Sequence, residues 1–368
     1  MRLDNNKKSF FPLLRAGLWE TEVQLLPFGE VDFGKVLPLA EEQSVVGLVV
    51  AGLEHVTDCR PAKKDVLQFI GHVAQLEQRN HLMNEYISWL IERLRKDDIY
   101  AILVKGQGIA QCYERPMWRA SGDVDLLLNE ENYQKAKRVL MPLALGVERE
   151  FKTLRHLGMT MAEDIVVELH GTLNSRLSKR IDRVIGDVQR TVFCGGMVRP
   201  WDNNGTTVFL PAPDEDVVFV FTHILHHFYI EGVGLRQICD WCRLLWTYRK
   251  TLDVSLLERR LKQMGLMTEW KAFAAMTVSW LGMPVEAMPL YSSESKWKRK
   301  AAYIMDFVIE SGNFGHNRYV AKGKLSAIWQ KTRDFVRHTR VFPWDAIKFF
   351  WHFVGNGIEI AAEKRILC

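Results

Sequence analysis

In "GDVDLLL", residues 122 to 128, two acids alternate with apolar residues: Asp123 and Asp125 against Val124 and Leu126. Residues two apart on a strand project from the same face, so both carboxylates stand side by side while the apolar pair faces a core. Their Cα atoms then lie about 7 Å apart, close enough to lean onto one cation. Two like charges at this spacing repel unless a metal or a proton separates them. Oxygen ligands suit a hard divalent ion, Mg²⁺ first, with Mn²⁺ as its substitute. A third acid, Glu168 in "VVELHG", lies between Val167 and Leu169 and shares its face with His170. A neighbouring strand carrying that acid would complete a three-carboxylate cluster. A metal-free alternative stays open, because acid, apolar, acid is a common pattern and Asp123 can equally cap a turn with Ser121 and Gly122.

Upstream, "KGQG" closes a short apolar run. Glycine permits close backbone approach, so Lys105, Gly106 and Gln107 can be brought toward a triphosphate, with the N-terminus of a following helix adding positive potential. Arg119, four residues before Asp123, has the fork geometry to clamp a phosphate. The turn is not a dinucleotide fingerprint, since Gln111 stands where the third glycine belongs, and no lysine followed by Ser or Thr makes it a P-loop.

These residues need strands to hold them. Residues 36 to 97 repeat apolar positions at three and four, which is helical. "IYAILVKG" then reads as a strand, "IAQCYER" as a short helix and "DVDLLL" as a second strand; 132 to 145 is an amphipathic helix. "FKTLRHLGMTMA" and "DIVVELHGTL" read as strands with turns around Gly158 and around Glu163 with Asp164. Pro211 and Pro213 are expected to break regular structure. Helices follow over 214 to 230, 235 to 249, 253 to 264, 268 to 281, 296 to 311 and 324 to 338. The expected architecture is α+β: N-terminal helices (1 to 97), a small mixed or antiparallel sheet with flanking helices (98 to 211) and a C-terminal helical domain (212 to 368).

The 368 residues suffice for one large or two ordinary domains, and 48% hydrophobic with 25% charged content is that of a globular protein. A net charge of +5 without a basic run argues against a nucleic-acid partner. The longest apolar run, "VVGLVVAGL", is too short to span a bilayer, and six scattered cysteines suggest a reducing, cytoplasmic setting.

The run of Lys105 and Gly106, Tyr113, Pro116, Arg119, "GDVDLLL" and "VELHGTL" resembles the uncharacterised bacterial branch of the polymerase-β-like nucleotidyltransferase superfamily. "FVFTHILHHFYIEGVGLRQICDWCRLL" is similar to that family's C-terminal helical segment, so the resemblance covers about residues 100 to 250. It implies a small mixed sheet and transfer of a nucleoside monophosphate from a triphosphate, ATP expected, to a hydroxylated acceptor with release of pyrophosphate. Two Mg²⁺ ions held by Asp123, Asp125 and Glu168 are implied, with His170, His223, His227, Arg236 and Asp240 on the acceptor side. Glu168 replaces the commoner aspartate, and Gln107 stands where many relatives have serine. A nucleotidyltransferase fold that binds or regulates without turnover is the alternative. Arg236 and Asp240, four apart on one helix, can equally form a simple ion pair.

Two other features have bland alternatives. His223, His227, Cys239 and Cys242 have zinc-ligand spacings, but buried helix cysteines explain the pattern as well. The aromatic, basic C-terminal stretch can lie on a membrane surface or pack Trp344, Phe349, Phe350 and Phe353 on its own domain; terminal Cys368 lacks the position that prenylation requires.

Overall fold

The computed structural model describes residues 5–150, 155–313, 324–351 and 355, so Phe353 and Cys368 lie outside the described residues. A five-stranded mixed sheet carries the acids. Its strands are β1 (Ile102–Val104), β2 (Asp123–Leu127), β3 (Gly146–Val147), β4 (His156–Thr160) and β5 (Val166–His170), in the order β1-β2-β5-β4-β3. β2 and β5 run parallel, while β1 with β2, β4 with β5 and β3 with β4 are antiparallel. The fold is α+β, as the element pattern implied.

Alternation along β2, β4 and β5 divides the sheet cleanly. Val124, Leu126, Leu157, Met159, Val167 and Leu169 turn to one face and are at most 2% exposed. They pack on the C-terminal half of α4 (Lys63–Arg95), through Met83, Ile87 and Leu90, and on α6 (Glu130–Leu140), through Tyr133 and Leu140. Burying residues of this size stabilises by about 1.5–3 kcal/mol each. The opposite face is left to the polar residues. α6 starts two residues earlier than its periodicity suggested and ends five earlier. The Asn129 side chain caps its first turn by accepting from the Asn132 N–H, with Glu130 and Glu131 at the positive end.

Between β1 and β2 lies α5 (Gly106–Ala110), earlier and shorter than the expected helix over 109 to 115. One further expectation is corrected. Gly158 sits inside β4 instead of at a turn, which falls at Glu163 with φ 58°. The prolines mark the expected break: Pro211 ends β7 (Thr206–Pro211), which pairs with β6 (Val198–Asn203), and Pro213 opens α8 (Pro213–Ile230), with Ala212 between them. Proline is tolerated at a first helical position because its missing N–H would be unpaired there anyway.

The remaining helices are α1 (Asn5–Trp19), α2 (Phe33–Glu42), α3 (Val46–Glu54), α7 (Lys179–Cys194), α9 (Leu235–Tyr248), α10 (Val254–Met264), α11 (Met267–Leu281), α12 (Ser295–Ser311) and α13 (Lys324–Val341). A second core crosses the expected boundaries, uniting Phe10, Leu14 and Val49 with Phe221, Trp241 and Trp270. Arg15 Nε donates to the Trp280 carbonyl at 2.7 Å and Trp19 Nε1 to that of Leu281 at 2.6 Å, fastening α1 to α11. Cys239 and Cys242 are fully buried in this core, and burial pushes both thiols up. Near the C-terminus Phe349 is buried, whereas Trp344 is 82% exposed and does not join the packed face. No helix among the described residues is long and apolar enough to cross a membrane.

The C-terminal core also buries a carboxyl group. Glu269 on α11 is fully buried, accepts a hydrogen bond from the Tyr229 hydroxyl at 3.2 Å, and has its pKa pushed up to about 8 by burial and by the nearby Asp345 carboxylate. Its unfolded value is near 4.3, so the folded state binds more protons between the two values, and stability falls as pH rises through that window. Thermal melts from pH 5 to pH 8 are expected to show a falling Tm in the wild type. Glu269→Gln is expected to flatten that slope and to melt higher than the wild type at pH 8; an equal slope in both proteins would remove Glu269 as its cause.

Candidate functional site

Register brings the acids together. In the parallel pairing of β2 with β5, Asp125 stands opposite Glu168 and Asp123 opposite Val166. One carboxylate oxygen from each of Asp123, Asp125 and Glu168 lies within 4.8 Å of the other two. All three line a cavity of about 460 Å³ between the polar face of the sheet and helices α8 and α9.

Lys105 owes its position to an unusual backbone. With φ 59° and ψ −148° it occupies a region that side-chain-bearing residues rarely adopt, followed by Gly106 at φ 45°. Such a conformation costs about 1–3 kcal/mol and persists only where the surroundings over-determine it. Its effect is to aim the ammonium at the acids: Lys105 Nζ donates to Asp125 Oδ1 at 2.8 Å. Burial pulls the Lys105 pKa down, but Asp125, Asp123 and Glu168 outweigh it and raise it.

Two histidines complete the cluster. His170 Nε2 lies 2.7 Å from Asp125 Oδ1 and 3.4 Å from Glu168 Oε2, and His156 Nε2 lies 3.1 Å from the same Glu168 oxygen. Burial opposes ionisation of Glu168, yet its bonds to His156 and His170 hold it well below the usual carboxylate range. Asp125 is also lowered, with Lys105 and His170 overcoming burial. Asp123 moves the other way. Asp125 is the main cause of its raised pKa and burial adds to it, with only partial relief from Lys105. This partly compensated like-charge repulsion, in a set of oxygen donors, is the electrostatic condition that a hard divalent ion relieves.

His170, expected on the acceptor side, stands in direct contact with Asp125 and Glu168. Gln107 is also placed differently from expectation: it is buried, and its Nε2 donates to Asn80 Oδ1 on α4 at 2.8 Å, away from the cavity. The same Asn80 side chain donates to the carbonyls of Met117 and Arg119, pinning the segment before β2. Gly106 does line the cavity.

Arg119 is not a free phosphate clamp. Its Nε and Nη2 donate to Asp240 Oδ1 and Oδ2 at 2.9 and 2.7 Å, and both side chains are about 95% buried, at 5% and 6% exposure. Asp240 Oδ1 also accepts from the Tyr113 hydroxyl at 2.8 Å. Those bonds engage both carboxylate oxygens of Asp240, which lines the cavity together with Arg119 and Arg236. Arg236 Nη1 donates to the Ala120 carbonyl at 3.1 Å. Arg236 still lines the cavity and lowers the Asp123 pKa, so its positive field reaches the acids.

The far wall comes from α8. His223 and His227 stand there with Nε2 atoms 3.1 Å apart, and His226 Nδ1 donates to the Ser175 carbonyl at 2.7 Å. Burial, then the Lys105 charge, holds His223 well below its ordinary value; burial and His227 bring His226 down to about 4. His223 and His226 are therefore neutral imidazoles at neutral pH. Among the described residues, the groups able to hold a metal are the three acids and His156 with Glu168 and His170; the cysteines join neither.

His156 escaped the sequence reading, whereas His226 lay within the helical segment quoted there. The alternation of His156, Gly158 and Thr160 against Leu157 and Met159 is the signal for the former, since it places His156 on the polar face.

A family model described as "Uncharacterised nucleotidyltransferase" matches residues 29–282. No curated protein matches the chain. Among solved structures, an antigenic nucleotidyltransferase-like protein from Paracoccidioides brasiliensis is similar at 15% identity, with a TM-score of 0.33, over 55% of this chain and 93% of that one.

Proposed function

Because this chain belongs to the nucleotidyltransferase family described as uncharacterised, we propose that it transfers a nucleoside monophosphate from a triphosphate, ATP first, to a hydroxyl acceptor and releases pyrophosphate. The observation that carries this reading is the register of Asp125 opposite Glu168, which gathers three carboxylates in the wall of one cavity. Asp123, Asp125 and Glu168 would hold Mg²⁺. Bound there, Mg²⁺ supplies neutralisation of phosphate charge and a lowered pKa for the acceptor hydroxyl.

The chain's own residues divide the remaining work. Lys105 and Arg236 bring positive charge to the cavity wall, where they offset charge that develops on phosphate oxygens during transfer. His170 and His156 fix the carboxylates of Asp125 and Glu168, which keeps the acids from reorganising as substrate enters. At the far wall, His223 is held as an unprotonated imidazole, which can form a hydrogen bond with an acceptor hydroxyl without adding charge to the site. A cavity of this volume suits a small acceptor or a single protruding side chain.

Incubating the protein with each α-labelled triphosphate, a cell lysate and Mg²⁺ is expected to move label onto one acceptor, and chelation of the metal is expected to stop it. Metal-independent nucleotide binding with no label moved would instead support a non-catalytic binding protein.

A further inference from the structure

The second group of ligand atoms is built on strands. His156 and His170 are direct cross-strand partners in the β4 and β5 pairing, and Glu168 precedes His170 by two residues, so all three share the polar face. Backbone pairing sets their spacing, which is tighter control than a loop provides. The two imidazole rings lie 4.9 Å apart at 33°, and both Nε2 atoms approach one carboxylate oxygen, Glu168 Oε2, at 3.1 and 3.4 Å.

Around a tetrahedral ion with bonds of about 2.0–2.1 Å, ligand atoms are separated by about 3.3 Å. The two N···O distances bracket that edge. All three ligand atoms fall within 4.8 Å of one another, and all three residues line the cavity. From this geometry we infer that His156, Glu168 and His170 form a binding site for a first-row transition ion, with Zn²⁺ as the best match, distinct from the hard-ion position at Asp123 and Asp125 and joined to it by Glu168.

The donor sets separate the two ions. Imidazole nitrogen favours zinc over magnesium, whereas a carboxylate-only set favours the hard ion. Asp125 Oδ1, at 2.7 Å from His170 Nε2, is close enough to serve as a fourth ligand shared with the neighbouring hard-ion position. Nothing in this site requires the transfer reaction; it would persist in a chain that binds nucleotide without turnover.

The test uses the full chain, stripped with a chelator and titrated with Zn²⁺ against a chromophoric competitor, then with Co²⁺ to read the coordination geometry by visible absorption. The wild type and Asp123→Asn are expected to take up one equivalent of Zn²⁺. His156→Gln, which keeps a polar group and is checked for folding by its thermal melt, is expected to bind at least about tenfold more weakly, the scale on which outer-shell partners already act. Three results overturn the inference: no equivalent retained by the wild type, equal affinity in folded His156→Gln, or loss of zinc in Asp123→Asn, which would place the ion among the aspartates. A failed label transfer with zinc uptake intact rejects the proposed reaction and leaves this site standing.

Discussion

Asp123→Asn is expected to fold normally, to melt at the same or a higher temperature than the wild type in metal-free buffer, and to lose about 10²–10³-fold or more in nucleotidyl transfer. The opposite signs follow from one cause. Asp125 and burial raise the Asp123 pKa in the folded chain. A carboxyl raised above its unfolded value opposes folding at pH above that unfolded value, and the penalty grows until the folded pKa is passed. Asparagine keeps the shape and removes the charge, so the gain in Tm is expected near pH 7 and is expected to vanish near pH 3. The same charge is what a divalent ion needs. Stability that rises while transfer falls separates a functional carboxylate from a structural one; unchanged transfer would remove Asp123 from the site.

The largest stability effect is expected at the buried pair between the sheet's entry loop and α9. Asp240→Ala removes both acceptors of the Arg119 guanidinium and the acceptor of the Tyr113 hydroxyl. Burial lowers the Arg119 pKa, but Asp240 more than offsets this and leaves it raised, so the arginine stays charged. An uncompensated buried charge costs about 3–5 kcal/mol, and Asp240→Ala is expected to lose stability on that scale in chemical denaturation. Replacing both partners with apolar residues of similar volume, Arg119→Met with Asp240→Leu, is expected to restore most of it. A double variant as unstable as the single one would show that the loss comes from packing and not from the orphaned arginine.

Much of this was legible before the structure, and the boundary is physical. Alternation in 123 to 127 and 166 to 170 assigns faces from local geometry alone, so the acids and their apolar partners were readable. Helical periodicity likewise located α8 to α13 within a few residues. Register is different: pairing Asp125 with Glu168 joins strands 43 positions apart through a parallel contact that no local pattern encodes. Arg119 shows the same limit. Four residues from an acid it looks like a phosphate ligand, but its partner lies 121 positions away on α9. Gln107 was misread because the turn was legible and the buried Asn80 that captures its side chain was not. Gly158 hid His156, since a glycine in a short segment suggests a turn where the sheet uses it as strand.

Divalent-ion binding in the presence of a non-hydrolysable triphosphate, measured by Mn²⁺ titration of the wild type and Asp123→Asn, tests most directly whether the three carboxylates serve as one ion site. The wild type is expected to bind Mn²⁺ together with the nucleotide, and the variant to bind it at least about tenfold more weakly, about 1.4 kcal/mol. Equal Mn²⁺ affinity in the two proteins, or nucleotide binding that ignores the metal, would contradict an ion site at Asp123, Asp125 and Glu168.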